Sequence, residues 1–158
     1  MVDGAWNERL LDFRTRSKRR TLVRIVTRWL DRCADDGYQA AELDNLDSFS
    51  RSKGLISKKQ TRRYAAALVR KGHAAGLAVA QKNRAQWNGT VVGFDFAIAE
   101  ECGRWKECAD YIDHYGDLVL AVEYRKKDFR WTCRHFGAQL PVVRRDLALS
   151  PDGIRRWC

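Results

Sequence analysis

The sequence predicts an α/β fold in which short parallel strands alternate with outer helices. Short apolar runs alternate with longer amphipathic segments along the 158 residues, without a Pro- or Ser-rich linker, which is the pattern of consecutive βα units. Almost every apolar run ends in polar residues, as strands do at the catalytic face of a (β/α)8 barrel. No Gly-rich phosphate loop follows a strand, which disfavours a nucleotide-binding open sheet. We therefore predict one domain of the (β/α)8-barrel type, reduced to about six parallel strands.

The strands and helices follow from local patterns. Six strands are predicted, at residues 9–13, 39–43, 77–80, 94–99, 118–122 and 141–143. Apolar residues at three-to-four spacing predict a first helix over residues 22–33, which ends before Gly37. Ser57 and Gln60 form a capping-box pattern for a helix that ends near Gly76. Further helices are predicted over residues 108–115 and 127–136, and from Ser150 onward, where Pro151 suits the first turn.

Two carboxylates at strand ends are the candidate catalytic residues. Cleavage of a glycosidic bond commonly requires two carboxyl groups, one that protonates the leaving oxygen and one that acts as nucleophile or base. Asp44 follows the second strand and shares its side with Glu42. Glu100 follows the fourth strand on the side of Phe96, and this apolar approach suits a general acid. Glu101 is expected to face away.

Other polar residues at strand ends are candidates for contacts with a sugar. A tyrosine ring can stack on a pyranose face, and amide, ammonium and carboxylate groups can bind hydroxyls or a cationic amine. The alternative is that some of the acids only pair with neighbouring arginines and lysines. The candidates are Asp12, Arg14, Glu42, Asn45, Asp47, Lys82, Asn83, Glu123, Tyr124, Arg145 and Asp146.

The net charge of +10 invites a nucleic-acid function, because basic side chains bind phosphates. The basic residues are spread over several predicted helices and no nucleic-acid-binding motif occurs among them, so we expect a solvated outer face and no nucleic-acid partner. No run of about 18 apolar residues is present, so no membrane partner is expected.

The five cysteines lack the spacing of a zinc site, so we expect neither a metal nor another cofactor. Two disulfides, Cys102–Cys108 and Cys133–Cys158, would suit a secreted protein and leave Cys33 free. Five reduced thiols in a cytosolic protein are the alternative, and the residues alone do not decide between the two.

Five ordered motifs resemble glycoside-hydrolase family 114, which includes the endo-α-1,4-polygalactosaminidases. They are ELDNLD at 42–47, KN at 82–83, DFAIAEEC at 95–102, EY at 123–124 and RDL at 145–147. The resemblance covers residues 6–158. It implies a (β/α)8 fold, a galactosamine polymer as substrate and Asp44 with Glu100 as the catalytic pair. Ala99 and Ser48-Phe49 depart from the family pattern.

The resemblance also favours the Cys102–Cys108 disulfide and a secreted protein, although residues 1–8 lack the apolar stretch of a signal peptide. The first predicted strand resembles the third strand of the family, so the chain is expected to be an N-terminally incomplete barrel. Strands 9–13 and 141–143 would then have unpaired edges. The function expected is an endo-acting glycoside hydrolase. A non-catalytic carbohydrate-binding relic and a basic nucleic-acid-binding domain are the alternatives.

Overall fold

The computed structural model describes residues 2–4, 7–44 and 46–158. Contacts divide the chain into two compact units, and we describe each by itself. The first unit comprises Met1–Val79 with Val92–Phe94, and the second comprises Ala80–Val91 with Asp95–Cys158. Among the described residues, no helix combines the length and the apolar character that a membrane span requires.

The elements follow the predicted alternation. The helices are α1 (Arg16–Asp35), α2 (Ser48–Arg51), α3 (Lys58–Ala74), α4 (Cys102–Trp105), α5 (Cys108–Tyr115) and α6 (Lys126–Phe136), with a 3-10 turn at Thr90–Val92. The strands are β1 (Val2–Asp3), β2 (Glu8–Arg9), β3 (Ala40–Leu43), β4 (Ala78–Lys82), β5 (Phe96–Glu100), β6 (Val119–Glu123), β7 (Val142–Arg145) and β8 (Arg155–Trp157).

The larger sheet has six strands in the order β3-β4-β5-β6-β7-β8. Strands β4 to β7 pair in parallel with one another, and β8 pairs antiparallel with β7. Within the first unit, the backbone N–H of Ala78 donates to the carbonyl of Gln39 at 2.9 Å. The predicted α/β fold is confirmed. Its larger sheet has the predicted number of strands, but one of them, β8, is antiparallel.

The predicted strand at residues 9–13 is wrong. Only Glu8–Arg9 pairs with another strand, in a separate two-stranded ladder with Val2–Asp3. Phe13 is buried and stacks on Tyr64, with ring centroids 4.8 Å apart. The Phe13 carbonyl accepts a hydrogen bond from the Arg19 guanidinium at 3.0 Å. The Arg19 side chain therefore satisfies the Phe13 carbonyl, which in a strand would accept a hydrogen bond from a neighbouring strand.

The predicted C-terminal helix from Ser150 is also wrong. A turn at residues 151–153 leads into β8, and Cys158 forms a disulfide with Cys133 of α6. Because β7 pairs with β6 on one side and with β8 on the other, the unpaired edge expected at residues 141–143 does not exist. Pairing with the sheet prevails here over a local capping signal.

Helix α3 of the first unit begins and ends where the sequence predicts. Helix α1 ends before Gly37 as predicted, but it begins at Arg16 instead of residue 22, because the Thr15 side chain caps it there. The Ser57 hydroxyl accepts from the backbone N–H of Gln60, and the Gln60 side chain accepts from the backbone N–H of Ser57, which confirms the capping box. Gly76 follows α3 with φ of +80°, a conformation that glycine adopts without strain. Gly72 lies against Val79, where an added Cβ would be 2.4 Å from Val79 Cγ2. A small residue is therefore needed where α3 packs on β4.

The core of the second unit is built from short side chains on its parallel strands. Ala80, Ala97, Ala99 and Ala121 are all completely buried. The disulfide between Cys102 and Cys108 lies beside them in the core and joins α4 to α5. Such close packing leaves the strand ends as the places where long polar side chains can reach solvent.

Candidate active site

Glu100 is the last residue of β5, and its carboxylate receives three donors. Asn83 Nδ2 donates to Glu100 Oε2 at 3.0 Å, and the Tyr124 hydroxyl donates to Oε1. Lys82 Nζ lies 3.5 Å from Oε2, and both side chains of this ion pair are mostly buried. Asn83 Oδ1 also accepts from the backbone N–H of Glu100 at 2.9 Å. Asn83 therefore holds Glu100 by both its backbone and its side chain.

The register of the parallel strands explains why these residues meet. Lys82 pairs with Ile98, and Glu100 pairs with Val122, and paired residues on neighbouring strands point to the same side of a sheet. Because side chains alternate along a strand, Lys82 and Tyr124 reach the side on which Glu100 lies. Lys82, Asn83 and Tyr124 were predicted to contact the sugar; in the structure all three bind Glu100.

The loop that carries Asn83 adopts an uncommon backbone conformation. Asn83 and Arg84 have φ of +55° and +68°, a region that costs free energy for residues other than glycine. The completely buried Gln81 holds this turn, because its Nε2 donates to the carbonyls of Asn83 at 2.8 Å and of Arg84 at 3.2 Å. Gln81 Oε1 in turn accepts from the Tyr115 hydroxyl at 2.9 Å. Gln81 was not among the predicted site residues, although its place one residue before Lys82 puts it on the opposite, helix-covered side.

The expected sugar contact for Glu123 has to be corrected. Its side chain is completely buried, and Oε1 accepts from the backbone N–H of Gly103 at 2.7 Å and from the Thr132 hydroxyl at 2.9 Å. Burial raises the pKa of this carboxyl, and the hydrogen bonds from Gly103 and Thr132 oppose that rise. Glu123 therefore joins β6 to α4 and α6 in the core, where a sugar cannot reach it.

Glu101 lies away from the Glu100 contacts, as the alternation of side chains predicts. Both of its carboxylate oxygens accept from Arg104 Nη1, at 2.9 and 2.8 Å. Its φ is +56°, and its backbone N–H donates to the Val122 carbonyl at 2.7 Å. Its place is therefore at the turn from β5 into α4.

In the first unit, Asp44 follows β3 and is exposed. Asp44 and Glu42 line a cavity of about 430 Å³, and Trp29 and Tyr64 contribute aromatic side chains to the same cavity. Trp29 belongs to the apolar three-to-four spacing that predicts the first helix, but it is 63% exposed. An exposed indole next to carboxylates offers a stacking surface for a sugar ring.

The remaining acidic candidates of the first unit form ion pairs. Arg51 binds both Asp47 and the buried Asp3. Arg14 Nη2 binds Asp12 at 2.9 Å, and the hydrogen bonds from Arg14 and Lys18 hold the pKa of Asp12 well below its usual range. These contacts fit the alternative in which the acids pair with neighbouring basic residues. Asn45 lies outside the described residues.

Arg145 and Asp146 organise the loop between β7 and β8. The Arg145 guanidinium donates to the carbonyls of Ile154 at 3.0 Å and of Ser150 at 2.9 Å. Asp146 accepts from the backbone N–H of Ser150 at 2.9 Å, and this bond lowers the pKa of the Asp146 carboxyl. Both side chains are therefore engaged in holding this loop.

In the described part of the chain, Cys102, Cys108 and Glu123 bring together atoms of the kinds that bind metals, all within 4.8 Å of one another. Its two sulfur atoms are bonded to each other as a disulfide, and a disulfide offers no thiolate to a metal. Both predicted disulfides are present, and Cys33 is a free thiol.

Comparisons with known proteins agree with this architecture. The chain is similar in structure to Ega3 of Aspergillus fumigatus, solved in complex with galactosamine, with a TM-score of 0.77 and 18% identity over 93% of this chain and 63% of that chain. It is also similar to the glycoside hydrolase domain of PelA of Pseudomonas aeruginosa, with a TM-score of 0.64 and 18% identity over 94% of this chain and 68% of that chain. No curated protein matches the chain.

At this identity the two structures show the fold, and the chain spans 63% of the first of them. The family is shown by sequence. The model of glycoside-hydrolase family GH114 matches residues 2–158, which confirms the resemblance drawn from the five motifs. The chain therefore belongs to glycoside-hydrolase family GH114.

Proposed function

We propose that this chain carries the catalytic carboxylates of an endo-acting glycoside hydrolase that cleaves α-1,4-linked galactosamine polymers. The observation that carries the proposal is the arrangement around Glu100, where donors from the ends of β4 and β6 converge on one carboxylate. Family GH114 membership and the galactosamine bound to the related Ega3 support the substrate class. No metal or organic cofactor takes part in the proposed reaction.

Glu100 suits the role of general acid. In hydrolysis this group gives its proton to the oxygen of the leaving sugar and ends the step as a carboxylate. The Tyr124 hydroxyl can accept a hydrogen bond from the protonated carboxyl or donate one to the carboxylate. The Lys82 ammonium lies 3.5 Å from Oε2 and stabilises the negative charge that remains after proton transfer.

Asp44 is the proposed second carboxylate, acting on the sugar as nucleophile or on water as base. It is more exposed than Glu100, and carboxyls in unlike surroundings can take unlike roles in one reaction. Glu42 and Trp29 line the same cavity. Carboxylates attract the amines of a deacetylated polymer over about 8 Å at physiological salt, and the indole face can hold a sugar ring.

Secretion forms part of this proposal. Disulfides persist in oxidising compartments. The second unit has two of them: Cys102–Cys108 joins the consecutive helices α4 and α5, and Cys133–Cys158 joins residues with a sequence separation of 25.

Release of reducing ends from defined galactosamine oligomers tests the proposal. We expect Glu100→Gln and Asp44→Asn each to lower turnover by roughly a hundredfold to ten-thousandfold, since each exchange keeps the shape and removes the group that transfers a proton or attacks. Glu101→Gln is the matched control and should be mild, because Glu101 binds Arg104 away from Glu100. Normal turnover in either of the first two variants would refute the assignment.

A second candidate function is carbohydrate binding without turnover. It is favoured by the cavity that Glu42, Asp44 and the exposed Trp29 line, because an indole and carboxylates can hold a sugar without cleaving it. Calorimetric titration with the same oligomers distinguishes the two functions: binding accompanied by new reducing ends supports the hydrolase, whereas binding alone supports the second candidate.

A further inference from the structure

The net charge of the chain is concentrated on α1 and α3. Helix α1 carries seven basic and two acidic residues, and α3 carries six basic and no acidic residues. Their combined charge of +11 exceeds the +10 of the whole chain, so all other residues together contribute −1. The sequence analysis expected basic side chains scattered over a solvated face; the structure packs the two most basic helices of the first unit against each other.

A groove of about 1160 Å³ lies along α1 and α3. On α1 its wall includes Arg16, Arg20, Arg24 and Arg28. These four side chains recur every fourth residue and so form a stripe along one face of the helix, about 18 Å long at 1.5 Å per residue. All four are exposed.

The α3 side of the groove is also lined by exposed basic residues. Arg63, Arg70 and Lys71 line it and are exposed, and the small Ala67 lies between them. Among the described residues that line the groove there is neither an acidic side chain nor an aromatic ring. The ion pairs of the described chain involve none of the basic side chains that line the groove.

This arrangement is unfavourable for the helices themselves. Like charges four residues apart on a helix repel one another, and the stripe from Arg16 to Arg28 repeats that spacing three times in succession. Neither helix has an acidic residue in its first turn, where negative charge would be stabilising. A bound polyanion would remove both disadvantages.

We propose that the Arg16–Lys71 groove, defined by the seven exposed basic residues named above, binds the phosphate backbone of double-stranded nucleic acid without sequence preference. Guanidinium groups match phosphate geometry with paired N–H donors, and a stripe of about 18 Å runs alongside about five base pairs of B-DNA. Single strands are disfavoured because no ring is present for bases to stack on. A cationic galactosamine polymer would be repelled, so this surface is separate from the proposed hydrolase site.

Fluorescence anisotropy with a labelled duplex of about 20 base pairs, two turns of B-DNA, tests the proposal. We expect binding of wild-type protein to weaken steeply between about 50 and 200 mM salt. The groove variant carries Arg20→Gln, Arg24→Gln, Arg63→Gln and Arg70→Gln. Its affinity should fall by roughly tenfold to a hundredfold, and the slope of log affinity against log salt should decrease by about three to four.

The matched control removes the same charge from α6 of the second unit, through Lys126→Gln, Lys127→Gln, Arg130→Gln and Arg134→Gln. These four side chains are exposed, and the control should lose at most about threefold in affinity. Circular dichroism and urea unfolding verify folding; the double variant Arg20→Gln with Arg24→Gln serves if the fourfold variant unfolds.

Equal losses in the groove variant and the control would overturn the proposal, because net charge alone would then explain binding. Heparin bound more tightly than the duplex at the same salt would assign the groove to an acidic polysaccharide instead. A single strand bound more tightly than the duplex would contradict the docking mode. The proposal is supported if only the groove variant loses affinity and the duplex is bound more tightly than heparin or a single strand.

Discussion

The last residues of β5 and β6 are both glutamates, but one is partly exposed and the other is completely buried. Glu100 and Glu123 each close a strand of the same parallel sheet, and each follows an apolar run. Glu100 keeps contact with solvent and binds polar side chains. Glu123 is completely buried and binds Gly103 and Thr132. Position at the end of a strand is therefore insufficient to identify a functional carboxylate.

The register decides which glutamate faces which side. Glu100 pairs with Val122, so Glu123, one residue further along, points to the opposite side of the sheet. That side is covered by α4 and α6. Tyr124, the next residue, points to the first side again, where its hydroxyl donates to Glu100. The comparison separates a site side, with Lys82 and Glu100, from a packing side, with Gln81 and Glu123.

The largest expected contrast is in stability. Glu123→Ala should lower the free energy of unfolding by about 3–5 kcal/mol, because it opens a cavity in the core and leaves the buried Gly103 N–H without its acceptor. Glu100→Ala should cost less than about 1 kcal/mol, since its partners at the sheet edge can bind water. Urea unfolding of both variants measures the difference, and similar losses would contradict the division into two sides.

Two tyrosines of the second unit, one on each side of the sheet, test the same division. Tyr124→Phe removes the donor to Glu100 and should lower turnover on galactosamine oligomers by about tenfold, with little change in stability. Tyr115→Phe removes the donor to Gln81 on the packing side and should cost about 1 kcal/mol of stability, with a smaller effect on turnover. Turnover and urea unfolding measured on both variants check the pattern; the reverse pattern would break it.

The smallest expected effect is a change in pH dependence. Burial raises the pKa of Glu123 above its ordinary value of 4.5, so the folded state holds this proton more tightly than the unfolded state. The contribution of Glu123 to stability is therefore fully present below pH 4.5 and is lost as the pH rises through the raised pKa. Glu123→Gln cannot titrate and should lack this decline, which unfolding measured from pH 4 upward would reveal. An unchanged pH profile in Glu123→Gln would contradict the assignment.

Local signals predicted the elements that depend on a few neighbouring residues. The capping box of Ser57 and Gln60 predicted the start of α3, and the glycine after each long helix predicted the C-terminal ends of α1 and α3. Side-chain alternation along β5 placed Glu100 and Glu101 on different sides. The same alternation, applied to β6, would have separated Glu123 from Tyr124; the sequence analysis treated these two residues together and so assigned both to the substrate.

Positions whose environment is set by contacts outside the local segment were predicted incorrectly. Residues 9–13 contain enough apolar side chains for a strand, but Phe13 packs on Tyr64 and its carbonyl binds Arg19. The signal at Ser150 and Pro151 is typical of a helix start, but β8 completes the sheet instead. Trp29 continues the apolar stripe of α1 and is nevertheless exposed at the cavity that includes Asp44.

The sequence by itself determined the alternation of strands and helices, the two disulfide pairs as one of two alternatives, the family and the carboxylates proposed for catalysis. These depend on local periodicity, capping and ordered motifs, which the chain carries wherever it folds. Only the tertiary structure decided which strand-end residues converge on Glu100, which acid is buried, and that the basic residues of α1 and α3 share one groove. Those properties arise from register and helix packing, which bring together residues such as Arg24 and Arg63 that are far apart along the chain.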